Sequence, residues 1–413
     1  MSKSQVDVKH AQSHPSEQDL ATWRLATAGL SASLVGIGLA RFAYTPLIPA
    51  LIAAKWFSPT DVVYLGAANL AGYLAGALLA RRAAARFGAV ASLRAMMVLA
   101  TLAFFASSVP VSFHWYFAWR FLAGLTGGVI MVLAATVVLP HASARRRGFV
   151  GGVIFAGVGL GIAISGTVIP LLLRQGLAQS WYGLGVLSGL LTLINWANWP
   201  KENAEIPSHT TPHPVKHHHQ PQVARALIAQ YGLNAVGLVP HILFLVDFVA
   251  RGLGQGIATG SQYWVLYGLG AVVGPLLAGH LGDRAGFGPA LRLSFLIQAV
   301  AILLPTVSTA PVSLIASSVI VGGFTPGIVP LVLGRVHELL PHSTEQQRAA
   351  WSHATTSFAL FQAAAAYGFS WLFAHAGGDY LPLFAIGGGA TLLALTINLS
   401  LAVTTRGRRS AYS

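Results

Sequence analysis

Apolar runs of membrane-crossing length alternate with short polar turns along almost the whole chain of 413 residues. An α-helix rises 1.5 Å per residue, so about 20 mostly apolar residues cross the hydrocarbon layer of a bilayer. Twelve stretches meet that requirement: 22–53, 60–80, 91–110, 114–139, 148–173, 179–199, 226–250, 258–281, 290–309, 312–334, 349–375 and 381–404. Barrel strands would alternate polar and apolar residues at every second position. These runs do not, and stretches such as LGAANLAGYLAGALLA at 65–80 offer small-residue faces on which helices pack closely in lipid. The polar segments divide the chain into a tail (1–21), a six-span half (22–199), a linker (200–225), a second six-span half (226–404) and a basic tail (405–413). The first apolar run is too long for a signal-peptide core, so it is read as an uncleaved span.

Composition then excludes alternatives. The chain is 54% hydrophobic and 9% charged, whereas a soluble domain carries about 25% charged residues. Its 25 Lys+Arg against 11 Asp+Glu, a net charge of +14, would suggest a nucleic-acid partner in a soluble protein. No basic patch here is interleaved with aromatics on a polar face, so no nucleic acid is expected. The cations have another distribution. With both termini on the cytoplasmic side, 20 of the 25 fall on that side; Arg41 and Arg120 lie within spans, and only Lys55, Arg174 and Arg251 fall outside. That is the positive-inside pattern of a multi-pass protein of the bacterial inner membrane. Absence of Cys removes disulfides and thiol-based metal chemistry. In the linker, His209, His213, His217, His218 and His219 have no acid or Cys to complete a metal site, and the segment reads as a solvated, mobile connection. No Walker loop occurs, no catalytic constellation stands in the spans, and neither enzymatic activity nor a cofactor is expected.

The most specific string is GHLGDRAGFG at 279–288, with Gly279, Leu281, Asp283, Arg284 and Gly286 at fixed spacing after an apolar run. Physically it reads as a tight helix–loop–helix turn whose glycines let helices approach and whose acid can accept from a facing helix N-terminus. A shift of 203 residues superposes the two halves: Gly29-Leu30 on Gly232-Leu233, Gly76-x-Leu78 on Gly279-x-Leu281, Arg81 on Arg284, Gly124 on Gly327. Ala80 stands where Asp283 stands, so a carboxylate latch is available only in the second half. This string resembles the signature loop of the major facilitator superfamily. Arg120-Phe-Leu-x-Gly124 is similar to that superfamily's fourth-helix motif, linked to proton coupling, and Gly157-x-x-x-Gly161 with Ser165-Gly166 to its antiporter motif, with Ile162 in place of the proline. GIGLARFAYTPLIPAL at 36–51 resembles the first helix of the YbfB/YjiJ-like branch through Arg41, Phe42, Thr45 and Pro46. The resemblance implies an all-α integral membrane protein with twelve transmembrane helices in two pseudo-symmetric six-helix bundles, cycling by alternating access, with a small-molecule substrate and protons as partners besides the lipid bilayer. A monomer is expected.

Charges inside the bilayer cost several kcal/mol unless they face a cavity or a partner. The candidates are Arg41, Arg120 and Asp247, with Arg251 at a span edge. Arg41 lies ~25 Å along the first span and Asp247 ~32 Å along the seventh, both in the outer half. Asp247 is the one acid interior to a span, which leaves two roles open: a carboxyl that carries a proton, or the partner of Arg251 at i,i+4. Arg41 and Arg120 are likewise open between holding an anion bidentately and binding carbonyls at a helix break near Pro46 and Pro49. His241 is a candidate substrate-binding residue and second proton carrier, or a packed, hydrogen-bonded residue beside Pro240. Tyr44, Thr45, Tyr73, Tyr231, Tyr263 and Tyr267 are candidate cavity residues. Trp115, Trp119, Trp181, Trp196, Trp199, Trp264 and Trp371 fall near span ends, the position of interfacial anchors. Gly279, Asp283, Arg284, Gly286 and Arg251 are assigned to gating. The leading expectation is proton-coupled secondary transport of a small organic anion. Proton-driven efflux of amphipathic drugs and a non-transporting membrane sensor are the alternatives.

Overall fold

The computed structural model describes residues 17–141, 147–200, 221–341 and 343–410. Most of the linker, including the histidines at 209–219, and the outermost tails lie outside the described residues. Twelve helices are long and apolar enough to cross a membrane: Thr22–Ala53, Pro59–Phe87, Ala89–Ala106, Phe113–His141, Val150–Leu173, Leu177–Asn198, Val223–Gly252, Gly256–Ala285, Phe287–Val307, Pro311–Leu339, Ala349–His375 and Leu381–Ala402. They are referred to below as the first to the twelfth span. Twelve crossings return the chain to the side on which it began. The turns at 54–58, 174–176, 253–255 and 376–380 define the side distal to the chain ends.

Many large side chains exposed along the spans are apolar, among them Leu102, Leu190, Leu276, Leu277, Val300 and Leu393. Such a surface is stable only against hydrocarbon. Within each half the tightest packing joins the second span to the fourth and the eighth to the tenth. A Cβ on Gly72, Gly76 or Gly124 would meet the backbone of Phe121, Leu125 or Asn69, and one on Gly270, Gly274 or Gly322 the backbone of Val319, Gly323 or Tyr267. The duplication expected from the sequence is thus repeated in the packing.

Local signals explain the ends. Pro59 opens the second span behind a capping box, in which Ser58 Oγ accepts from the Asp61 amide at 3.1 Å and Asp61 Oδ2 accepts from the Ser58 amide at 3.3 Å. At its other end this span runs to Phe87, beyond the edge expected at 80. Under the 203-residue shift Ala83 stands where Gly286 stands. The eighth span ends when Gly286 takes φ 79°, whereas the second continues until Gly88 takes φ 86°. The eighth helix therefore runs to Ala285, past the edge expected at 281, and takes Gly282, Asp283 and Arg284 of the expected loop into its last turn.

The first and seventh spans are interrupted. The first has a π-helical turn at Leu34–Leu39, an irregular turn at 40–43, and a second helical piece, Tyr44–Ala53. In the seventh, π-helical turns at Pro240–Phe244 and Phe248–Gly252 flank Leu245–Asp247. Prolines at 46, 49 and 240 remove backbone donors at these places, which frees carbonyls for other partners.

Candidate functional site

The two breaks face each other across the bundle interface. Thr45 Oγ1 donates to the Ile242 carbonyl at 2.5 Å, tying the first span to the seventh. Toward mid-membrane, Arg41 Nη2 donates to Gln362 Oε1 of the eleventh span, also at 2.5 Å. The guanidinium carbon stands 4.7 Å from the Tyr73 ring centroid and 5.0 Å from that of Phe42. Phe42 contacts Trp264 at 6.2 Å; Trp264 stacks on Tyr267 at 4.8 Å and donates from Nε1 to Ser165 Oγ at 3.2 Å. Tyr267 shares a hydroxyl hydrogen bond with Thr325 of the tenth span. Six spans, three from each half, thus converge around one buried guanidinium.

Its electrostatics are unbalanced. Among the described residues no carboxylate reaches Arg41, and Arg41 Nε and Gln362 Nε2 are buried with no hydrogen-bond partner. A guanidinium held by a neutral amide and two aromatic faces keeps most of its desolvation cost uncompensated.

Arg120 is engaged differently. At the break no backbone N–H among the described bonds takes the Ala40 carbonyl. It accepts instead from Arg120 Nη1 at 3.1 Å and Asn69 Nδ2 at 3.3 Å. The Arg120 guanidinium carbon lies 4.1 Å from the Tyr44 ring centroid, and the Tyr44 hydroxyl donates to Val62 O at 2.8 Å. Arg120 therefore supports the irregular turn that carries Arg41.

Asp247 and Arg41 do not meet. Asp247, fully buried, takes a bidentate pair from Arg251, Nε to Oδ1 at 2.5 Å and Nη2 to Oδ2 at 2.7 Å. Tyr380, in the turn before the twelfth span, donates to Oδ2 at 2.6 Å. Burial, followed by the Asp247 charge, pushes the Tyr380 phenol above its usual range, so it remains a donor. His241 points away from the interface, into the second bundle. Its Nε2 is 2.7 Å from Ser317 Oγ, which itself donates to Ala301 O, so Nε2 carries the hydrogen.

The chain matches the family model described as "Uncharacterised MFS-type transporter YbfB" over residues 33–399. It belongs to that family. A solved structure titled "Crystal structure of D-xylose-proton symporter" is similar in fold, with a TM-score of 0.68 at 15% identity, over 91% of this chain and 97% of that one. The protein is thus a multi-pass membrane transporter of the major facilitator superfamily, with the two six-helix bundles expected from its sequence.

In this transporter the superfamily string has a changed division of labour. Asp283 is exposed and, among the described residues, makes no hydrogen bond or ion pair. The acid that accepts from a helix N-terminus is Glu338, at the end of the tenth span: its Oε1 takes the Phe287 amide at 2.9 Å and its Oε2 takes Arg335 Nη1 at 2.7 Å. A Cβ on Gly279 would meet nothing within 4 Å, so this glycine is not needed for close approach; Gly286 is needed for its positive φ. The tryptophans also divide. Trp115, Trp196 and Trp371 are exposed, as anchors would be, but Trp181, Trp199 and Trp264 are buried, the last in the interface itself.

Sequence reasoning missed Gln362, Asn69 and Tyr380. Gln362 had a readable signal, as an amide inside the apolar run FALFQAAAAYGF at 358–369. Asn69 had the same signal, as the amide inside LGAANLAGYLAGALLA at 65–80, whereas Tyr380 had none, because its importance lies in the carboxylate the fold brings to it.

Proposed function

We propose that this transporter moves a small organic anion across the bacterial inner membrane by proton-coupled alternating access, both termini being cytoplasmic and the working unit a monomer. One observation carries the reading: the buried Arg41 guanidinium at the bundle interface has an amide partner, Gln362, and, among the described residues, no acid. A carboxylate arriving from the cavity would neutralise that charge and occupy its fork bidentately. Every cross-bundle hydrogen bond and ring contact among the described residues, from Arg41–Gln362 to Thr45–Ile242, Trp264–Ser165 and Tyr64–Tyr367, lies at mid-height or toward the distal side. This pattern supports a state closed to the outside. Asp247 is the candidate proton carrier.

A second reading of Asp247 is favoured by its bidentate pair with Arg251, which suits a structural tie at the end of the seventh span. Proteoliposomes separate the two. In the first reading, Asp247→Asn retains substrate exchange but loses uphill accumulation driven by a pH gradient. Continued accumulation by that variant overturns the carrier role and leaves the tie.

A further inference from the structure

On the distal side a cavity of about 460 Å³ opens between the bundles, lined by Pro59 and Thr60 from the second span and by Arg251, Phe373, Gly377 and Tyr380 from the second half. Arg251 and Tyr380 in its wall both hydrogen-bond to Asp247, which is buried behind them. Arg251 is 31% exposed while its partner Asp247 is fully buried. Its Nε and Nη2 are committed to Asp247 and Tyr380, and among the described residues Nη1 has no acceptor. The guanidinium therefore has one edge on its own carboxylate and another toward the cavity.

Arg251 is the one charged side chain among the cavity-lining residues, and Asp61, next to Thr60, is engaged in capping Ser58. The elements packed against Leu245–Asp247 are the Tyr44–Ala53 piece, the eighth span and the adjoining π turns. Tyr44–Ala53 and residues 256–270 contain no charged residue. Their titratable side chains are Tyr44, bonded to Val62, together with Tyr263 and Tyr267. Asp379, beside Tyr380, caps the Leu381 amide at 2.9 Å.

We infer that this vestibule is a carboxylate-binding site in which an arriving carboxylate takes the Arg251 fork from Asp247 while Asp247 accepts one proton from the outer solution. One O–H bond forms, and no other covalent bond changes. Before the exchange the cluster holds one anion and one cation; afterwards it holds a neutral Asp247, the Arg251 cation and the cargo anion. Its net charge stays at zero. That balance is required, because Asp247 is fully buried and an ionised carboxylate stripped of its partner there is strongly disfavoured. The proton enters with the anion, one for one. This deepens the anion reading and rests on its orientation, but it concerns a site apart from Arg41.

The native chain has no Cys, so Thr60→Cys places a unique thiol in the vestibule wall. The readout is the rate of N-ethylmaleimide modification with and without sodium benzoate, compared at each pH, with benzamide as the uncharged control. Benzoate slows modification and benzamide does not. The half-protecting benzoate concentration rises about tenfold per pH unit, as uptake of one proton requires. Asp247→Asn makes protection tighter and independent of pH. Arg251→Gln abolishes it, and Arg251→Lys, which keeps Asp247 paired should Arg251→Gln fail to fold, weakens it several-fold. Arg41→Gln leaves it intact, so the central anion site, tested by transport, fails or stands separately. Protection without a pH slope in the parent, protection that survives Arg251→Gln, or no protection in both the parent and Asp247→Asn would each overturn the proposal.

Discussion

The Arg41 guanidinium crosses the bundle interface to Gln362 Oε1 at 2.5 Å, so a cation of the first span is held by a neutral amide of the eleventh. A neutral partner can hold the side chain in place without cancelling its charge, which leaves the guanidinium available to an anion.

The Thr45–Ile242 hydrogen bond joins the bundles on the distal side. A net hydrogen bond contributes about 1 kcal/mol, roughly a fivefold change in an equilibrium. Thr45→Val, which keeps the shape and removes the donor, is expected to raise the labelling rate of a Thr60→Cys thiol from the outside up to about fivefold. An unchanged rate would remove the latch role.

At the opposite side, Glu338 caps the ninth helix and Asp283 is free among the described residues. Glu338→Gln is expected to destabilise the purified transporter by about 1 kcal/mol, the worth of a charged cap. Asp283→Asn should change stability by less than about 0.5 kcal/mol. Slowed substrate exchange in Asp283→Asn at unchanged affinity would then report a contact made in another state of the cycle; wild-type exchange would show that the carboxylate has no gating role.

Two glycines of the repeated motifs should respond oppositely to a methyl group. A Cβ on Gly124 meets the backbone of Asn69, whose side chain also bonds the carbonyls of Ala40 and Arg120. Gly124→Ala is expected to cost about 1–3 kcal/mol, through displaced backbone. Gly279→Ala has open space and should stay within about 0.5 kcal/mol of the parent in thermal unfolding.

The orientation is checked with the same cysteine-free background. A single cysteine introduced in the 200–225 segment should not react with an impermeant reagent applied to intact cells. Labelling there would reverse the assignment of both termini.

The fold was legible because membrane helices announce themselves through length and apolarity alone, and the Gly279–Gly286 string with its shifted copy pointed to two matching halves. Span ends were less so. The second span runs five residues past the point at which its shifted counterpart, the eighth, ends, because Ala83 stands where Gly286 stands, a single difference in backbone freedom. For the candidate site, the rarity of charge inside the spans singled out Arg41, Arg120, Asp247 and Arg251. It could not sort them, since the sorting depends on partners remote in sequence: Gln362 for Arg41, the Ala40 carbonyl for Arg120, Tyr380 for Asp247. His241 shows the same limit, because periodicity puts a histidine on a helix face but not on the side of that helix that meets Ser317.

Thermal unfolding of the purified transporter against a panel of carboxylates, sugars, amino acids and organic cations tests the anion site at Arg41 most directly. A ligand of the folded state at about 100 times its Kd adds roughly 2.7 kcal/mol, well within reach of a Tm shift. The account predicts that a carboxylate raises the Tm of the parent protein, and that Arg41→Lys, which keeps the charge and loses the planar fork, needs at least several-fold more of it for the same shift. Stabilisation by cations or uncharged compounds with none from carboxylates, or an equal carboxylate shift in Arg41→Lys, would contradict it.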